Sequence, residues 1–448
     1  MKTNDLTQGN IWHNLIDFSL PYILAYFLQI LYGLADLYVI GRYGTVDDTT
    51  AVSNGTQVMN LVTVVMIGLA MGSTVTIARS VGAGDRRRAA HAIGTTFTFF
   101  LILSLMLTAA LLSLCGNIVQ WVATPTEAVS GTTAYLTVCF MGVPFIVTYN
   151  VIASIFRGMG DSRTPMYLVA VACAVNVALD FLLIGRFGLG PVGAALATAI
   201  SQAFSVVVAA VAIRRHRAAL QLSRDSFRLR RRMVGDILRV GLPVALQDGF
   251  IQVFFVVIMI VANMRGLTDA AAVGIVEKFI GLLFIIPSSM LSTVSAVSAQ
   301  CIGARRVERA VATMWRAIVV TAGFGLVSAV LFQFVPQWPI SLFTTDAAVI
   351  ASGADYLQSY VSDCFLAGIH FCFSGFFTAC GRSLLAFAHN MASILLVRLP
   401  LTVLLSQAFP HSLYPMGWAS PAGSFLSVVI CVTLYAWLKR RGTLVREF

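Results

Sequence analysis

The 448-residue chain is a succession of apolar runs, each long enough to cross a bilayer, separated by short polar breaks. A membrane-spanning helix needs about 20 mainly apolar residues. Runs of that kind lie near 14–40, 50–78, 91–116, 131–156, 164–186 and 191–214, then near 237–262, 270–298, 312–335, 354–378, 385–405 and 417–438. None alternates over the roughly 10-residue segments of a membrane barrel. The expectation is an all-α integral membrane protein with twelve transmembrane helices. Composition agrees: 11% of residues are charged, where a soluble protein carries about a quarter.

The net charge of +11 does not point to nucleic acid, because the basic residues sit between apolar runs and form no stripe. Their placement orients the chain instead. The loops and helix ends after helices 2, 4, 6, 8 and 10, with the two tails, hold 25 of the 30 Lys and Arg. Both termini are therefore expected in the cytoplasm. The basic stretch 214–236 reads as an amphipathic linker against anionic headgroups. It divides an amino-terminal six-helix lobe (1–213) from a carboxy-terminal one (237–448). The eight cysteines lie in or beside apolar runs, with no CxxC pair, and read as small apolar fillers. Asp17 and Pro21 interrupt or border the first run, which does not read as a cleaved signal.

The two halves repeat. Leu20-Pro21 and Leu242-Pro243 lie 222 residues apart, and beyond them the offset is 221. Gly82-Ala83 pairs with Gly303-Ala304, Arg88 with Arg309, Tyr135 with Tyr356, and Gly160 with Gly381. Six helices per half make the repeats parallel, related by a pseudo-two-fold axis along the membrane normal. Two such bundles around a cleft suit alternating access better than a pore.

Against this apolar background, Asp36 in ILYGLADLYVIG and Asn176 and Asp180 in VNVALDFLLIG stand out. An ionised Asp at mid-membrane costs on the order of 2.5–3.5 kcal/mol on insertion scales. Asn176 and Asp180, four apart, project from one helix face. Two chemistries justify them. Desolvation and like charge raise a carboxyl's hold on a proton, or clustered oxygens replace the water shell of a hard cation such as sodium. Thr198 on the next helix offers a further hydroxyl. Pro21, Gly33 and Gly41 allow the first helix to bend or another backbone to approach.

LTQGNIWHNLIDFSLP, LQILYGLADLYVIGRYG, SVGAGDRRRA, FRGMGDSRTPMYL followed by NVALD, GLPVALQ and VRLPL occur in order along the chain. In these pieces, and over essentially its whole length, the sequence resembles the multidrug and toxic compound extrusion transporters. The resemblance implies a two-lobed antiporter that expels amphipathic, mainly cationic organic compounds against protons or sodium. It implies a cation site of Asp36, Asn176, Asp180 and Thr198, and bending of helix 1 at Pro21. One branch of that family also uses a glutamate in helix 7 and an aspartate in helix 10. Here the glutamate position falls near Ile251, between Asp248 and Gln252, and Asp363 is read as lying near the membrane edge. Coupling is therefore assigned to the amino-terminal lobe.

Gln57, Asn60, Asp248, Gln252, Glu277, Lys278 and Arg398 are candidate cleft or substrate contacts, with interhelical bonding the competing role. Neighbours on a helix do not face each other, so Glu277 and Lys278 are expected to find separate partners. Arg398 is expected to meet carbonyls or a carboxylate across its bundle. Gly82-Ala83-Gly84-Asp85 is no phosphate loop, and no HExxH or GxSxG occurs. The reading is a cation-coupled efflux antiporter of the cytoplasmic membrane, acting as a monomer, without a resident cofactor or enzymatic activity. A flippase or exporter of a lipid-linked or other endogenous metabolite is the alternative. It calls for a strongly basic cleft, whereas only Lys278 and Arg398 fall within the apolar runs. A major-facilitator loop after helix 2 does not fit, and a channel would conduct downhill.

Overall fold

The structure, a computed structural model, describes residues 6–220 and 223–446, and of Ala212 and 214–220 the backbone alone. It is all-helical, with no β-strand among the described residues. The spans are α1 (Ile11–Tyr43), α2 (Val46–Gly82), α3 (Arg86–Trp121), α4 (Val129–Gly158), α5 (Arg163–Arg186) and α6 (Gly190–Leu220). They continue as α7 (Arg231–Arg265), α8 (Leu267–Gly303), α9 (Val307–Phe334), α10 (Ala347–Tyr360 with Asp363–Ala379), α11 (Ser383–Ala408) and α12 (Tyr414–Arg440). Eleven are long and apolar enough to cross a membrane singly, and α10 makes the twelfth as a pair of helices bent by 43°.

The polar breaks carry the chemistry that starts each span. Thr45 and Asp48 form a reciprocal capping box at α2. In the break before α3, Gly84 takes φ +71° and Asp85 accepts from the Arg88 backbone at 2.8 Å. Before α5, Gly160 turns the chain at φ +88°, and Asp161 Oδ1 accepts from the backbone of Arg163 and Thr164 at 3.0 Å each. These caps satisfy amides the first helical turn leaves unpaired. The Gly-Asp pairs in the sequence are thus helix starters.

The chain forms two compact units. Unit 1 contains Leu20–Gly241, and unit 2 contains Leu6–Ser19 together with the chain from Leu242 onward. The division differs from a plain cut within 214–236. The leading end of α1 belongs with unit 2 and that of α7 with unit 1, and both crossings fall at the paired Leu-Pro steps. Within unit 2, Arg306 Nη1 donates to Thr7 O at 2.7 Å, and Arg309 donates to Gln8 O at 2.6 Å and Gly9 O at 2.9 Å. Within unit 1, Arg88, the repeat partner of Arg309, lies 4.0 Å from Asp236 near the start of α7. Thr95 and Thr98 donate to the Arg228 and Phe227 carbonyls at 3.2 and 2.8 Å.

Helix enters the basic stretch from both sides. α6 runs on to Leu220 and α7 begins at Arg231, with one 3-10 turn at Arg224–Phe227 between them. Ala, Leu and Arg are strong helix formers, so the end of α6 continues past the apolar run. The part of the linker at 221 and 222 lies outside the described residues.

Candidate functional site: a two-carboxylate centre in unit 1

Asp36 comes from α1, while Asn176 and Asp180 lie one turn apart on α5. Local sequence explains the meeting. The Gly160-Asp161 start sets the register of α5, and four-residue spacing puts Asn176 and Asp180 on one face. A π turn, Phe181–Arg186, follows Asp180 directly, and such turns cluster at functional positions.

The three side chains form one cluster. Asp36 is 4% exposed and Asn176 and Asp180 are fully buried. With its amide nitrogen facing the acids, Asn176 Nδ2 donates to Asp36 Oδ1 at 2.9 Å and to Asp180 Oδ2 at 3.3 Å. Asp36 and Asp180 are themselves within hydrogen-bonding reach. Thr198, on α6, stands beside Asp36 and Tyr32 without a hydrogen bond of good geometry. The four residues predicted to act together therefore do share one place.

Two bare carboxylates this close repel each other, and a buried polar atom without a partner is costly. Asp180 Oδ1, Thr198 Oγ1 and the Tyr32 hydroxyl are buried atoms of that kind. Carboxylate and hydroxyl groups with spare oxygen lone pairs suit a proton or a small hard cation. Among the described residues no three His, Cys, Asp or Glu gather as a metal site.

Tyr32 was missed in the sequence. It lies four residues before Asp36, on the same helix face, and that spacing was the available signal. Pro21 lies inside the continuous α1, where its ring removes the bond to the carbonyl four residues back.

The other candidates lie apart from this cluster. Gln57 and Asn60 are exposed on α2, and Asp248 and Gln252 are half-buried, four apart on α7. Glu277 accepts from the hydroxyls of Tyr356 at 3.1 Å and Tyr360 at 3.3 Å, while Lys278 is exposed. The two neighbours thus differ in surroundings, as helix geometry requires. Arg398 meets a carboxylate, Asp363, at 3.7 Å. Asp363 itself corrects the sequence reading. α10 begins earlier than its apolar run suggests, at Ala347, so Asp363 falls at the central bend and is fully buried.

The sequence pattern of the MatE family matches residues 21–182 and 243–404, one copy in each half. A probable multidrug resistance protein of Bacillus subtilis, YoeA, is 25% identical over 99% of this chain and 98% of its own. The probable multidrug resistance protein NorM of Thermotoga maritima is 28% identical over 75% of this chain and 73% of its own. A crystal structure of MATE in the straight conformation superposes with a TM-score of 0.90, 22% identity and 99% coverage of both chains. With the family pattern over both halves and the fold throughout, the chain belongs to the MatE family.

Proposed function

We propose that this protein is a secondary antiporter of the cytoplasmic membrane that exports amphipathic organic compounds, chiefly cationic ones, in exchange for protons or sodium. The observation that carries the reading is the buried bridge of Asn176 between Asp36 and Asp180. A multidrug role is supported by relatives named as multidrug resistance and multidrug export proteins. The charge pattern of the loops supports cytoplasmic termini.

In the proposed cycle the ion enters from outside and sits between Asp36 and Asp180. Asn176 fixes the distance between the acids, and Thr198 and Tyr32 contribute hydroxyl oxygens. Binding joins α1 and α5 through one shared charge. It favours whichever packing of unit 1 brings the two carboxyls together, and it shifts the conformational equilibrium by its difference in affinity for the two states. Pro21 provides the place at which α1 yields. Loss of the ion to the cytoplasm restores the state that takes up substrate.

The test is accumulation of ethidium in everted membrane vesicles, with sodium and pH gradients imposed separately. The wild type is expected to accumulate the dye under one of the two gradients. Asp36→Asn and Asp180→Asn are each expected to abolish that accumulation while the protein remains folded by size-exclusion chromatography. Undiminished gradient-driven transport in either variant overturns the coupling assignment.

A further inference from the structure

Unit 2 holds a buried charged cluster whose chemistry differs from that of unit 1. Arg398, on α11, places Nη2 3.7 Å from Asp363 Oδ2 and donates from the same nitrogen to Ser424 Oγ at 2.6 Å. Its guanidinium lies 5.7 Å from the ring centre of Phe254. A Cβ at Gly423 would come within 2.3 Å of Arg398 Cγ, so α12 passes against the arginine stem with no room for a side chain. Ser424 also faces His370 Nε2 at 3.3 Å. The His370 and His389 rings are 5.8 Å apart, and His389 meets Ser374 at 2.9 Å and Ser427 at 3.3 Å. Glu277, held by its two tyrosines, interacts electrostatically with both Asp363 and Arg398. Glu277, Asp363, His370 and His389 are thus the titratable groups around the guanidinium.

The internal repeat supplies the comparison. Up to Gly160 and Gly381 the halves run at an offset of 221. The π turn Ile394–Arg398 takes an additional residue into α11, and Val175, Leu179, Leu182 and Leu183 match Val397, Leu401, Leu404 and Leu405 at an offset of 222. On that register the position of Asn176 in unit 1 is the position of Arg398 in unit 2. One half bridges its acids with a neutral amide, and the other sets a permanent positive charge against its acid. An arginine stays protonated throughout the physiological range.

We propose that Arg398 is a tethered cation that stands at Asp363 in place of an external ion, so that this carboxylate takes up neither sodium nor a proton. The consequence for transport, no coupling at Asp363, rests on the function proposed above. The place of Arg398 at Asp363 does not, and its test uses binding alone.

The experiment uses the purified full-length protein in detergent micelles, carrying Asp36→Asn and Asp180→Asn so that unit 1 gives no ion response. Thermal unfolding is followed against sodium chloride, with choline chloride holding ionic strength, and separately against pH. Adding Arg398→Asn is expected to create a saturable rise in unfolding temperature, with sodium or with falling pH, that the background lacks. Identical curves for the two proteins in both titrations overturn the proposal. Arg398→Lys keeps a tethered positive charge and is expected to behave as the background does. A lysine variant that responds like the asparagine variant also overturns it. If Arg398→Asn is not recovered folded, Arg398→Asn with Asp363→Asn decides. Recovery of the double variant supports the counter-ion role, and failure of both variants refutes it.

Discussion

Replacing Asn176 by leucine, which has the same branched heavy-atom skeleton, removes two hydrogen-bond donations and leaves two buried carboxyl oxygens without that donor. A bond to a charged acceptor contributes about 1.5–3 kcal/mol. The donation to Asp36 at 2.9 Å is near ideal length, and that to Asp180 at 3.3 Å is long. Taking the long bond at roughly half the short one gives about 2–4.5 kcal/mol in total. The loss should vanish where the acid is also removed, so a double-mutant cycle isolates it. The assay is reversible unfolding in detergent by added SDS, for wild type, Asn176→Leu, Asp36→Ala and the double variant, with a second cycle for Asp180→Ala. The expected coupling energy is about 1.5–3 kcal/mol between Asn176 and Asp36, and roughly half that between Asn176 and Asp180. Couplings below about 0.5 kcal/mol in both cycles fall within ordinary non-additivity. That result would refute the claim that the amide holds the two acids together.

Other consequences follow from packing and backbone. A Cβ on Gly72 would stand 2.1 Å from the Ile237 carbonyl oxygen, so Gly72→Ala should lower stability by about 1–3 kcal/mol, read from SDS unfolding. Arg305 takes φ +59° where its repeat partner Gly84 takes +71°. Arg305→Gly should therefore raise stability by about 1 kcal/mol by the same measurement, and no gain would show the position is not strained. Arg309→Ala removes donations to Gln8 and Gly9, and amide exchange over residues 6–12 should quicken at least tenfold, for a loss of about 1.5–3 kcal/mol. Asp36→Asn and Asp180→Asn should end gradient-driven dye accumulation in vesicles.

The spans were legible because each obeys one requirement, that a lipid-facing helix be apolar over its length. Their ends were not. α1, α2 and α3 extend several residues past the apolar runs into Arg42-Tyr43, Val46-Asp47 and Arg86-Arg87. Helix there depends on caps such as Asp85, and on packing in which hydropathy plays no part. The same blindness misplaced Asp363. The polar segment Thr344–Asp346 before α10 hid the helical turns that begin at Ala347, and so moved the apparent edge of the span toward the acid. In the unit 1 site, Asp36, Asn176 and Asp180 were visible because a charge or amide in hydrocarbon requires a reason. Tyr32, Tyr356 and Tyr360 were not, since a tyrosine in an apolar run is unremarkable until its hydroxyl is seen beside an acid.

The repeat shows how one packing scheme carries two chemistries. Thr56 and Tyr135 meet hydroxyl to hydroxyl at 3.2 Å in unit 1, and 221 residues later Glu277 and Tyr356 meet at 3.1 Å in unit 2. Helix register has been kept closely enough to preserve the separation of the two side chains, while a hydroxyl became a carboxyl. The exchange of Asn176 for Arg398 changes the other side of the same balance. A half that gains Glu277 and Asp363 must offset buried negative charge, because a carboxylate without a counter-charge is not stable in a dry bundle. An arginine does so permanently, whereas an amide brings no charge of its own. Asymmetry of charge between halves of similar fold therefore has a functional reading. Under the function proposed above, Asp363 is fixed in charge by Arg398, and the acids of unit 1 are the ones that change charge during turnover.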